Sequence, residues 1–235
     1  MSTRSAPEVK MGGRPQLKLF IKANRDVTDS LLSKGEGGEK LERGLADLVR
    51  EEYGRAFQLL TTWESAARSE VLLGQIEAGE PETGLFRERP DVVVLSAEPD
   101  LTGAAWDGVA DQVAEQLRSV VRALRDRLGA HVLVFNCSTV DPDHRISNYR
   151  GLAEEPVSIR AHRLNLALVG LSATEGISII DVDRVLAELG AGPHVTHVLD
   201  YSPEACDAIC REVLRVLADY GFFEERPLVM QVRAS

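Results

Sequence analysis

The run DVVVLSA at residues 91–97 constrains the fold more than any other stretch. Three consecutive valines followed by leucine show no polar alternation, so neither face of such a strand can be left to water. It has to lie in a sheet covered on both sides, the usual setting of parallel strands. HVLVFNC (131–137) repeats the pattern, and LKLFIKA (17–23), AFQLLTT (56–62) and ISIIDVD (177–183) are shorter versions. Between them fall segments with helical periodicity: 38–54 with Leu41, Leu45, Leu48 and Val49 on one face, 64–76, 106–129, 158–176, and a last helix opening at Ser202-Pro203. The stretch 77–90, EAGEPETGLFRERP, reads as a surface loop.

Strands alternating with helices of this length imply right-handed crossovers. The expected fold is therefore α/β, a three-layer α/β/α sandwich around a mostly parallel sheet of about five strands. Residues 1–15 read as a disordered lead-in, 16–223 as one α/β domain, and 224–235 as a tail. Such sheets bind ligands beyond the carboxyl ends of their strands. Chemistry is accordingly expected at 24–30, 61–65, 97–100, 136–141 and 181–200. The polar segment 136–151 is either a wall over that site or a plain surface loop.

Composition narrows the partners. A net charge of −10 argues against nucleic acid or an anionic membrane surface, both of which need a basic face. No apolar run is long enough for a spanning helix, and the N-terminus lacks the apolar core of a secretory signal. Cys137, Cys206 and Cys210 read as free thiols of a reducing compartment, with Cys206 and Cys210 sharing one buried helix face. A cytoplasmic protein acting on a small molecule is expected, with no cofactor and with the oligomeric state open. Arginine far outnumbers lysine among the 27 basic residues, which hints at a GC-rich bacterial genome and a biosynthetic setting.

Read in order, the strand ends resemble the SGNH/GDSL hydrolase superfamily, over about residues 16–221. The carboxyl half carries most of the likeness: RLNLALVGLSATEGISIIDVD, a loop, then DYSPEACDAICREVL. PDVVVLSAEPDLT looks like the strand leading to the family's Gly-x-Asn-Asp block. The resemblance implies a flavodoxin-like sandwich and an esterase, thioesterase or acyltransferase activity.

The catalytic blocks depart from the family's pattern. Asp29-Ser30-Leu31 matches part of Gly-Asp-Ser-Leu, making Ser30 either the nucleophile or a residue at a helix start. A register without the intervening NRDVTD instead puts Ala23-Asn24 at the nucleophile's place. The second block offers Thr62 or Trp63 where a glycine belongs. The third has Pro99, which lacks any N–H, in place of asparagine, flanked by Glu98 and Asp100. Losing one oxyanion donor costs about 3 kcal/mol of transition-state stabilisation.

In the last block His197 and Asp200 stand in exchanged places. A carboxylate is a weaker base than imidazole by about 2.6 pKa units. The catalytic candidates are thus Ser30, His197 and Asp200. Those for substrate binding are Asn24, Arg25, Asp26, Thr62, Glu98 and Asp100. His194, His197 and Asp200 form too sparse a set for a metal, and none is expected. Three readings of the cleft remain: an acyl hydrolase or transferase, a non-catalytic binder, and a biosynthetic enzyme doing non-hydrolytic chemistry.

Overall fold

A computed structural model describes residues 16–32, 43–54, 57–79, 83–101, 110–139, 157–197 and 200–224. The expected lead-in, the tail beyond Glu224 and most of the 136–151 segment lie outside the described residues.

Five parallel strands, β1 (Gln16–Ala23), β2 (Gln58–Ser65), β3 (Val92–Ser96), β4 (His131–Phe135) and β5 (Ser178–Ile180), form one sheet in the order β2-β1-β3-β4-β5. The period of two along each strand sorts its side chains between two cores. Leu17, Leu19 and Ile21 of β1, Val92 and Val94 of β3, and Leu133 and Phe135 of β4 join one core. It is closed by α1 (Arg25–Leu32), α2 (Leu45–Tyr53), α7 (Val182–Leu189) and α8 (Pro203–Asp219). Phe20, Val93, Leu95, Val132 and Val134 face the other, under α3 (Ser69–Ala78), α4 (Leu85–Glu88), α5 (Ala110–Leu128) and α6 (Val157–Glu175). The three-layer sandwich expected from the sequence is the observed architecture.

Local boundaries differ for identifiable reasons. Strand β2 runs on to Ser65 because its Gln58–Ser65 register pairs residue by residue with all of β1. Thr62 therefore sits inside a strand, opposite Phe20, rather than at a strand end. Strand β5 stops at Ile180 because Asp181 caps a helix, its carboxylate accepting from the Arg184 N–H at 3.1 Å. Helix α7, read as part of a strand and a loop, results. The supposed loop 77–90 contains α4, whose Leu85 is fully buried. A hairpin of β6 (Val195–His197) and β7 (Asp200–Tyr201) precedes α8. The Ser-Pro helix start is as expected: Ser202 Oγ accepts from the Ala205 N–H, with Pro203 in the first turn.

One polar group lies deep beside the sheet. Lys22, only 5% exposed, meets Glu64 across the β1–β2 pair at 2.8 Å. Burial by itself raises the Glu64 pKa, but bonds from Lys22, the Gly84 N–H and Thr83 outweigh it and hold the carboxyl below its ordinary value. A Cβ at Gly84 would stand 2.9 Å from Glu64 Oε1 and push that carboxylate aside.

Removing one partner of such a pair leaves a buried charge uncompensated. Glu64→Ala should cost about 3 kcal/mol of stability, and Lys22→Met combined with Glu64→Leu should recover most of it. Urea unfolding of the three proteins checks this. A single variant losing less than about 1 kcal/mol would show the Lys22 charge to be satisfied elsewhere.

Candidate active site at the strand switch

In the order β2-β1-β3-β4-β5 the chain reverses direction of progress between β1 and β3, the place where open parallel sheets leave a crevice at the carboxyl ends of their strands. Asn24 directly follows β1; Glu98 lies in the short 3-10 turn that follows β3. The two meet across the crevice, Asn24 Nδ2 donating to Glu98 Oε2 at 2.6 Å. Helix α1 begins immediately after Asn24, so its first turn carries Asp26 into the same place. Tyr201, from β7, donates its phenol to Asp26.

Electrostatics here run against ionisation. Asp26 is 5% exposed, and burial, followed by the charge of Glu98, pushes its pKa up to about 8. Glu98 is also raised by burial, with the Asn24 bond pulling the other way. Burial and the neighbouring Asp26 and Glu98 charges drive the Tyr201 phenol well above its ordinary range. Cys137, at the end of β4, stays a neutral thiol: burial raises its pKa, and Glu98, Asp100, Asp183 and Asp26 add to the effect. A thiolate nucleophile is therefore not available there at neutral pH.

Other sequence candidates fall elsewhere. Ser30 is fully buried at the sixth position of α1, in the seam against α8. Its hydroxyl lies 2.7 Å from the Asp26 carbonyl and 3.2 Å from Cys206 Sγ, while Cys210 Sγ lies 3.2 Å from the Ser30 carbonyl. In this arrangement Oγ is enclosed and engaged, as a helix residue of a packed seam is. The extra residues before it are the first turn of α1, not an inserted loop.

Asp100 is buried and accepts from both Ser69 N–H and Ser69 Oγ at 3.0 Å, capping α3 from a distance. Burial raises its pKa, opposed by those bonds and by Arg68. Arg25 points outward, paired with Asp29 at 3.0 Å. Together with Asn24, Thr28, Trp63, Ser65 and Ala66 these residues line a hollow of about 460 Å³ beside the crevice. His197 and Asp200 are backbone partners across the β6–β7 hairpin, next to Tyr201; their side chains lie outside the described set. Among the described residues no group of three His, Cys, Asp or Glu is placed to hold a metal.

The sequence reading missed Tyr201 and the lock around β4. Asn165 of α6 bonds both the N–H and the carbonyl of Cys137, at 2.9 and 2.8 Å. Asn136 bonds Asp181 and the Val182 N–H, both at 2.8 Å. Tyr201 had one available signal, an aromatic with a polar tip directly after the expected site aspartate. Asn165 had none, being one of several polar residues in a mixed helix.

Neither a protein-family model nor a curated protein matches this sequence. Solved structures do match in fold. A lipase/acylhydrolase from Enterococcus faecalis is similar with a TM-score of 0.60 at 14% identity, over 87% of this chain and 96% of that one. Axe2, an acetylxylan esterase from Geobacillus stearothermophilus, gives 0.59 at 12% identity, over 85% and 93%. The acetyl xylan esterase AlAXEase gives 0.58 at 14%, over 86% and 100%. The fold is that of the SGNH/GDSL hydrolases.

The raised Asp26 pKa has a measurable sign. Unfolded, the carboxyl ionises from about pH 4; folded, it keeps its proton to about pH 8. The native state thus binds more protons in this window, and stability falls as pH rises through it. Asp26→Asn should flatten that slope, with its gain over wild type largest at and above about pH 8. Thermal melts at acid and alkaline pH check this; parallel pH profiles for the two proteins would mean that Asp26 is ionised in the fold.

Proposed function

We propose that this chain hydrolyses an acyl group, an ester or thioester, on a small metabolite, with water activated at Glu98 taking the part that serine plays in SGNH hydrolases. The observation that carries the reading is the 2.6 Å Asn24–Glu98 bond at the β1/β3 switch. Asn24 fixes one carboxylate oxygen and leaves the other for a water. Burial lifts the Glu98 pKa, bringing its basicity closer to neutral pH.

In the proposed reaction Glu98 takes a proton from water as the oxygen attacks the acyl carbonyl. The tetrahedral intermediate then expels the alkoxide or thiolate, which receives that proton from Glu98. Products are a carboxylic acid and an alcohol or thiol, so atoms and charge balance. The second N–H of Asn24 is a donor for the developing oxyanion, standing in for those lost at Pro99 and the second block. Asp26, neutral behind Glu98, spares it a second negative charge. The His197–Asp200 hairpin belongs to the proposal through Tyr201, which it holds against Asp26. Arg25 and Trp63 would seat the remainder of the substrate in the hollow. Acyl transfer to another acceptor in a cytoplasmic biosynthetic pathway would use the same groups.

A second reading, a non-catalytic binder in this crevice, is favoured by Pro99 at a donor position and by the enclosed Ser30.

Hydrolysis of p-nitrophenyl acetate and of a short acyl thioester separates the two. Glu98→Gln should lower kcat/KM by about 10²- to 10⁴-fold through kcat, with activity falling as pH drops through the raised Glu98 pKa. Ser30→Ala should leave turnover near wild type, and a fluorophosphonate should label no serine. Labelling of a serine would overturn the water mechanism, and wild type without turnover would select the binder.

A further inference from the structure

Most carboxylates at this rim have their oxygens taken. Asp183 accepts from the Thr139 N–H and Oγ1 at 2.6 and 2.8 Å. Asp181 accepts from Asn136 and the Arg184 N–H. Asp100 is held by Ser69 and lies in the field of Arg68. Asp26 is the exception: it is 5% exposed, and its Oδ1 is buried with no hydrogen-bond partner. The groups facing it are Glu98 after β3, Cys137 at the end of β4 and Tyr201 of β7, none of them a cation.

The nearby cations are committed to other acids: Lys22 to Glu64 at 2.8 Å and Arg25 to Asp29 at 3.0 Å. A buried carboxyl oxygen left unmatched, beside a second carboxyl that is itself only partly exposed, has no positive partner among the described residues.

We infer that the crevice selects substrates bearing an organic cation, an ammonium or guanidinium group seated at the unpaired Asp26 oxygen within the field of Glu98. This rests on the reading of the Glu98 crevice as the site of acyl hydrolysis. A carboxylate or phosphate substrate would meet like charge there. A divalent metal would find two carboxyls and a neutral thiol, short of a metal's ligand set. An ammonium needs only hydrogen-bond acceptors and negative charge: Glu98 offers the charge and Asp26 an acceptor oxygen without a partner. Its arrival also favours the ionised form of Asp26, so binding releases a proton where the free protein still holds one.

The test is calorimetric binding of N-acetylputrescine against its neutral isostere N-pentylacetamide, at fixed ionic strength near neutral pH, on the full chain. The cationic compound should bind at least about tenfold more tightly. Glu98→Gln should erase most of that preference, and Asp26→Asn should abolish the proton release seen by comparing buffers of different ionisation enthalpy. Equal affinity for the two compounds overturns the inference, as does magnesium chloride competing with the cationic one at equal concentration. Because the readout is binding, it is independent of turnover. Preference for the cation without hydrolysis of any acyl compound would sink the proposed reaction alone, whereas hydrolysis without the preference would sink the cation site alone.

Discussion

Burial of the central strands on both faces governs everything else in this molecule. Strands β1, β3 and β4 are covered by apolar layers above and below, leaving almost no place inside the sheet for a polar group. Lys22 is tolerated only because Glu64 stands beside it. Polar side chains are therefore displaced to the carboxyl rim, where strands give way to helices and turns. There they stay partly out of water, which raises the pKa of any carboxyl without a strong partner. The crowding of Asp26, Glu98, Asp100 and Asp183 around the Cys137 thiol follows from this displacement.

The rim sorts its acids into two kinds. Some work as scaffolding: Asp181 caps α7, Asp183 holds Thr139, and Asp100 caps α3 through Ser69. These would read as site residues on position alone, yet their oxygens are already occupied. Asp26 and Glu98 differ because a helix first turn and a 3-10 turn bring them together without a full set of donors. An imbalance of this kind is common where binding or catalysis needs a group poised rather than satisfied.

Relative to the SGNH hydrolases whose fold it shares, the chain keeps the sheet and differs in the residues at its carboxyl rim. Where the family places a serine after the first strand, this chain has Asn24 and then α1 without delay. Among the described residues of that region the one serine, Ser30, is enclosed between α1 and α8, its hydroxyl against the Asp26 carbonyl and Cys206 Sγ. A fold-level likeness at 10–14% identity therefore speaks for the fold, while the named residues say what chemistry the rim can do.

Much of this was legible in the sequence. The unbroken apolar runs at 91–97 and 131–137 require a sheet with two covered faces, and the helical segments between them require parallel crossovers; together they locate the rim. Asn24, Asp26 and Glu98 could be placed there because they directly follow strands. The direction in which each side chain points was not legible, since it depends on where each helix begins. Starting α1 one residue after β1 buries both Asp26 and Ser30, with Glu98 beside the first and Cys206 against the second. Which acids are capped and which are left bare was likewise settled by Ser69, Thr139 and Tyr201, partners that only the folded chain brings within hydrogen-bonding distance. Local patterning fixes an element's type and its buried face, whereas satisfaction of a polar atom is a property of neighbours far away in the chain.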